Sequence, residues 1–270
     1  MRFLFIALAC IGFASAITPV NAQNKDVESA VLSSPLPALN KPTLSVGFDA
    51  STGRYGDTDP TNTFVVPLSL RLPVSSSFTT SASISRVQIS GPNVVVGADG
   101  RPLPGVGLVR SSRSGLGDLS LGATWEIPIK SDHWSVQASS RIKVPLGQKS
   151  KGLSTGKADY SGKVEVTYIA FPFAPFVSVE YQVLGKPAGF ELRNPLNTSI
   201  GTAWISGTNA IITSYDYNRS ISPLVKDGHS VFGAYSMPVS KKVRLTLYGI
   251  KGLSAGSPEV EAGAMFSLTL

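Results

Sequence analysis

The chain has 270 residues, with 24 lysines and arginines against 17 acidic residues, 26 glycines, 19 prolines and one cysteine. Charged residues make up 15 % of it and hydrophobic ones 42 %, which excludes a disordered polyelectrolyte and suits strands and turns better than helices. A single thiol, Cys10, rules out a disulfide framework and any thiolate metal cluster.

The first element is an export signal. Met1-Arg2 forms a short positive region, Phe3 to about Phe13 an apolar one, and Ala14-Ser15-Ala16 and Val20-Asn21-Ala22 are small-residue cleavage patterns, so residues 1–22 read as a secretory signal peptide. The apolar run is too short to span a membrane, and no later stretch approaches the roughly 18 apolar residues that a spanning helix needs. Cys10 has Ala7, not leucine, three residues before it, which argues against lipid attachment. An exported chain without disulfides points to a bacterial envelope. Losing Arg2 leaves 23 basic against 17 acidic residues, an excess of +6. Export argues against nucleic acid as the partner. The basic residues of the Gly/Ser/Pro-rich stretches (Arg101, Arg110, Arg113, Lys149, Lys151, Lys157) are either solvated loop charge or contacts to anionic lipopolysaccharide or an anionic solute. Residues 23–41 read as a periplasmic N-terminal segment, either a tail or a plug.

Beyond residue 41 the apolar residues recur with a period of two. The alternation predicts twelve strands, near 43–53, 62–72, 76–90, 117–128, 133–145, 159–170, 174–184, 196–206, 209–218, 229–239, 242–251 and 258–270, with ten or fourteen as the outer bounds. The connections alternate in length. LPVSSS, PIKSD, FPFA, SGTN and PVSKK are tight, whereas the links around 56–62, 91–117, 146–157, 185–195 and 218–228 are longer. Short turns at one end and long loops at the other fit an all-β, antiparallel transmembrane β-barrel over residues 42–270, with both termini periplasmic. The last strand, through Leu270, would close on the first, because an open edge recruits other chains. In hydrocarbon only helices and closed barrels satisfy every backbone group. A soluble β-sandwich also alternates, with its apolar face inward, so the strand pattern by itself leaves both architectures open.

In a barrel the polar faces turn inward, because a charge at mid-depth on the lipid side costs about 2–4 kcal/mol. The candidate lumen-lining residues and solute contacts are therefore Asp49, Arg71, Glu126, Arg141, Lys143, Lys163, Glu165, Glu180, Asp216, Arg244 and Glu261. Their mixed signs would either line a water-filled pore or pair and block a narrow one. Trp125, Trp134, Tyr160, Tyr168, Tyr181 and Trp204 are candidates for interfacial girdles.

Two apparent catalytic motifs lack their context. Gly252-Leu253-Ser254-Ala255-Gly256 matches a nucleophile elbow, but a strand follows it where a helix is required, and both histidines, His133 and His229, precede Ser254. Gly152 to Ala158 is one residue short of a phosphate loop and lacks the hydroxyl residue after Lys157. His229, near Asp227, is the one rim histidine that a hydrolase could use, and solvated loop charge is the plainer reading. No catalytic residue, metal or cofactor is expected.

Three stretches, SGLGDLSLGATWEIPI (114–129), VPLGQKSKGLSTGKADYSGKVEV (144–166) and LYGIKGLSAGSPEVEAGAMFSL (247–268), together resemble the bacterial outer-membrane transporter family labelled phenol-degradation meta-pathway (MetA-pathway) protein. The pattern comprises a GLGD strand start, K-x-P-x-G followed by KGLGTGKxDY, and a final KGLSxGSPDxxxG hairpin, and it covers the chain from about Gly115 onward. The resemblance implies a porin-like barrel that admits small, often aromatic or otherwise hydrophobic, compounds. The chain departs from the family in closing on Leu270 where an aromatic residue is usual, leaving Phe266 for recognition by the outer-membrane assembly machinery. The expected function is passive transport of a small solute through the outer membrane, with lipid and lipopolysaccharide as the surroundings. The alternative is a non-conducting structural or adhesive barrel with an ion-paired lumen.

Overall fold

A computed structural model describes residues 41–55, 58–91, 95–96, 102–103, 111–188 and 191–270. The signal peptide and nearly all of the N-terminal segment expected over 23–41 lie outside the described residues, as does most of the 91–117 loop. Twelve antiparallel strands form one closed sheet. They are β1 (Thr43–Gly53), β2 (Thr61–Pro73), β3 (Phe78–Gly91), β4 in two segments (Ser111–Leu116 and Leu119–Ile127), β5 (Trp134–Val144), β6 (Asp159–Tyr168), β7 (Phe173–Val183), β8 (Leu196–Ser206), β9 (Asn209–Asn218), β10 (Gly228–Pro238), β11 (Val243–Gly252) and β12 (Val260–Thr269). Each strand pairs with its sequence neighbours, and β12 closes on β1 from Thr43↔Thr269 to Thr52↔Val260. Among the described residues the only helical turn is the 3-10 turn Lys149–Lys151.

The strands follow the alternation closely, with one correction. The fourth begins at Ser111, not near 117, and is broken at Gly117-Asp118. There β3 runs from Ser83 (opposite Ser120) to Arg86 (opposite Leu116), so three β4 residues face two on β3. This is a β-bulge. The Gly117 N–H still donates to the Ser85 carbonyl at 2.8 Å, which keeps the wall continuous. The SSRSGL segment carries no apolar period, so alternation could not reveal it.

All the tight turns lie at one end of the ring. The tightest, Gly207-Thr208, joins β8 to β9, and Gly207 takes the left-handed φ of 58° that a two-residue hairpin demands. The long connections gather at the opposite end. Apart from the broken β4, strands of 10 to 14 residues, at about 3.3 Å rise and tilted by about 40°, cover a hydrocarbon band about 25 Å tall.

Burial is inverted relative to a soluble protein. On β7, Ser178, Glu180 and Gln182 are 1 %, 4 % and 4 % exposed, while Val177, Val179 and Tyr181 are 48 %, 45 % and 49 % exposed. The same parity runs through β1, where Ser45, Asp49 and Ser51 are buried and Leu44, Val46 and Phe48 are exposed. A sandwich would bury the valines, so this partition decides for the transmembrane barrel. The six aromatic girdle candidates all face outward. Trp125, Trp134, Tyr168 and Trp204 ring the short-turn end, with the Trp134 and Tyr168 rings 4.9 Å apart, and Tyr160 and Tyr181 lie toward the long-loop end.

Candidate functional site

Every lumen candidate lies on the interior face. Asp49, Lys143, Glu165, Glu180, Asp216 and Glu261 are buried there, and Arg71, Glu126, Arg141, Lys163 and Arg244 are half-buried. The alternation forces this placement, because each shares the parity of the buried serines and threonines of its strand. Both signs are spread round the ring: the acids stand on β1 (Asp49), β4 (Glu126), β6 (Glu165), β7 (Glu180), β9 (Asp216) and β12 (Glu261), and the bases on β2 (Arg71), β5 (Arg141, Lys143), β6 (Lys163) and β11 (Arg244).

Many of these groups are paired. Arg141 Nη1 lies 3.4 Å from Glu180 Oε1, and Lys163 Nζ lies 2.9 Å from Glu165 Oε2. Glu180 also accepts from Gln182 at 3.2 Å and from Asn197 at 3.4 Å. Asp216 accepts from the hydroxyls of Ser199 and Ser214. Tyr248 donates to Asp49 Oδ2 at 2.9 Å, reaching across β12. At the short-turn rim Arg244 donates to Ser236 Oγ at 3.1 Å and to the Thr208 carbonyl at 2.9 Å. Breaking one partner of such a buried set leaves an uncompensated charge, which is why pairing dominates where water is scarce.

The interior also has an apolar wall that the sequence pattern did not single out. Ala174, Phe176, Ala203, Ile205, Ile212, Phe232, Ala234, Tyr248, Ile250 and Met265 form one buried cluster on β7 to β12. Each sits at a polar-face parity, and that misplaced parity is the signal that could have found them. Half-way round the ring, β3 to β5 present Ser81, Ser83, Thr124, Gln137 and Ser139, all half-buried. The cross-section is thus hydroxyl-lined on one side and apolar on the other.

At the long-loop end two further acids come into play that the lumen pattern missed. Lys143 Nζ lies 3.1 Å from Asp118 Oδ2 and 2.6 Å from Asp159 Oδ2, and it donates to Thr155 Oγ1 at 3.3 Å. The other oxygen of each carboxylate holds a loop, with Asp118 Oδ1 accepting the Gly147 N–H at 2.9 Å and Asp159 Oδ1 the Gly185 N–H at 2.8 Å. Leu153, from the connection between β5 and β6, is buried with Val65, Val87 and Ile89.

The enzyme-like motifs resolve into scaffolding contacts. Ser254 lies in the β11–β12 turn, donates to the Asp227 carbonyl at 2.8 Å and accepts the His229 N–H at 2.9 Å. The His229 ring nitrogen Nδ1 is 2.6 Å from the Tyr215 hydroxyl, not on an acid. The Asp227 carboxylate takes the Tyr217 hydroxyl at 2.7 Å and the Ser220 N–H at 2.8 Å. Its burial works to raise its pKa, but those two hydrogen bonds and the nearby Arg193 and Arg219 outweigh it and hold the carboxyl below its usual range. Among the described residues no group of three or more His, Cys, Asp or Glu side chains could hold a metal ion.

The fold is similar to those of solved outer-membrane barrels. The COG4313 outer membrane channel from Pseudomonas putida F1 superposes with a TM-score of 0.65 at 13 % identity, over 85 % of this chain and 96 % of that one. The KdgM porin does so at 0.54 and 7 % identity, over 84 % and 99 % of the two chains. For the NanC porin the values are 0.51 and 8 %, over 84 % and 98 %. At these identities the likeness speaks for the fold. No protein-family model matches the chain, and no curated protein does.

Proposed function

We propose that the chain is a bacterial outer-membrane channel that passively admits small solutes, aromatic and other hydrophobic ones among them, and that it has no catalytic role. The observation that carries this reading is the inverted partition of a closed twelve-strand ring, with valines outward and serines, acids and bases inward. The likeness to solved proteins described as a channel and as porins supports it. The export signal and the long-loop end support an orientation with both termini periplasmic and the long loops facing outside. In this reading the charged lumen residues and the Phe176–Phe232 wall contact the solute. Lipid meets the outer face and lipopolysaccharide the long-loop rim, and the exposed Phe266 on β12 serves recognition by the assembly machinery. The sequence resemblance to the meta-pathway transporters supports an aromatic cargo.

Planar-bilayer recording tests the reading. Steady current from protein that also shows a heat-dependent gel shift supports the channel. Silence from equally well-folded protein overturns it and favours a structural barrel, whose interior ion pairs would then serve stability alone. Liposome swelling with phenol against a sugar of similar size tests the cargo, faster entry of the aromatic solute being the expected outcome.

A further inference from the structure

The motifs behind the sequence resemblance converge on one place. Gly115 and Asp118 come from GLGD, Lys143 and Gly147 from K-x-P-x-G, and Leu153, Thr155 and Asp159 from KGLSTGKAD, and they meet at the long-loop end of β4, β5 and β6. Lys143, 2 % exposed, is clamped between Asp118 and Asp159. The β5–β6 connection then turns through the 3-10 turn Lys149–Lys151 and through Gly152, whose left-handed φ of 66° redirects the chain. Leu153, 1 % exposed, follows. Its neighbours Val65, Val87 and Ile89 occupy interior positions of β2 and β3, so the connection lies inside the ring and crosses the inner surface of β4. A Cβ on Gly115 would stand 2.7 Å from Gln148 Oε1 and 2.8 Å from Leu153 Cδ1, so the connection rests directly on the β4 backbone.

A link that merely joined two strands would have no need of this. It could stay outside the ring, as solvated loops do, and the facing positions on β2 and β3 could be polar like their neighbours Thr61 and Thr63. Instead three apolar interior side chains receive a leucine, and a buried lysine with two carboxylates holds the entry and exit of the loop. Buried ionic sets of this kind are costly to desolvate and are best attested where they fix one arrangement among several.

We propose that this strap is the size filter of the channel. Clipped by Lys143 between Asp118 and Asp159 and pinned by Leu153, it narrows the long-loop mouth and sets which solutes pass. The inference rests on the channel reading, and the two fail differently. The test introduces Leu153→Cys with and without Lys143→Met, labels the folded protein with a charged methanethiosulfonate reagent, and records current in planar bilayers. A heat-dependent gel shift verifies folding. With Lys143 present the thiol is protected. With Lys143→Met it labels at least about tenfold faster and the conductance rises about twofold or more, because a constriction dominates the resistance of a pore. Leu153→Gly, which leaves the clasp intact, gives the same rise, so the test survives a Lys143 variant that does not fold. Fast labelling with an unchanged current overturns the filter and leaves the channel standing. A thiol that stays protected after Lys143→Met overturns the clasp. Absence of current from the native protein and the released variants alike overturns the channel reading, and the filter with it.

Discussion

Tyr248 and Gly263 illustrate how much one missing methyl group can decide. The Tyr248 hydroxyl reaches Asp49 on β1 from β11, two strands away, and the ring passes where a Cβ on Gly263 would stand, which would also meet the Phe48 carbonyl at 2.7 Å. Gly263→Ala is expected to displace the ring, strip Asp49 of its donor and cost about 1–3 kcal/mol, read as a lower urea midpoint of the heat-shifted folded form. Once Tyr248→Ala has removed the ring, adding Gly263→Ala still meets the Phe48 carbonyl but costs less than it does in the native protein, the non-additivity that a shared contact produces. Asp227 makes a second prediction at this scale. Its folded pKa lies below the unfolded one, so its contribution is complete above the ordinary carboxylate pKa and is lost as pH falls through the depressed value. Protection of the Ser220 amide, its exchange rate relative to that of an unstructured peptide at the same pH, should therefore hold at neutral and mildly acidic pH and fall only at strongly acid pH. Asp227→Asn, which cannot ionise, should lower that protection at every pH. Unchanged protection in that variant would remove the carboxylate from the latch.

For a single strand, the outward or inward sense of each position is the testable property. Val179 on β7 is exposed and its neighbour Ser178 buried, so Val179→Arg puts a charge into hydrocarbon at a cost of about 2–4 kcal/mol. The folded fraction recovered in lipid vesicles should fall accordingly, whereas Val179→Leu should leave it unchanged. The strands were legible because valines alternate with serines and charges over ten residues, as on β5, β6 and β7, and the interior charges inherited that legibility from their parity. Where the period lapsed, the reading lapsed too. Ser111–Leu116 has no apolar residue before Leu116, and the bulge at Gly117-Asp118 puts its parity out of step with Leu119–Ile127, whereas Asp118 itself shares the inward parity of Ser120 and Glu126. Phe176, Ile205, Ile212 and Phe232 went unnoticed for the opposite reason, being apolar residues on the polar side. The partnership of Lys143 with Asp118 and Asp159 depends on which strands become neighbours, and spacing along the chain does not reveal that.

Taken as a whole, the molecule stands or falls by closure. Deleting residues 260–270 removes the partner of both β1 and β11, leaving two rows of unpaired backbone groups with no water to satisfy them in hydrocarbon. Such a truncation should lose the heat-dependent gel shift and aggregate, while an internal deletion confined to the turn at Ala255 should retain the shift. The closed ring was legible at this scale from the alternation of short and long connections, since only a barrel needs all its tight turns at one end. The inward strap was not legible, because its motif resembles an incomplete phosphate loop and its burial comes from the distant Val65, Val87 and Ile89.

The junction of β1 and β12 carries one more consequence. Its ladder runs over ten residue pairs, and beside it the Leu270 N–H donates to the Pro42 carbonyl at 2.9 Å. The two sequence extremes of the ring therefore meet like any hairpin, and the circle has no privileged starting point. A circular permutant that tethers residue 270 to residue 42 through a few glycines and opens instead at the tip of a long connection should assemble the same circle.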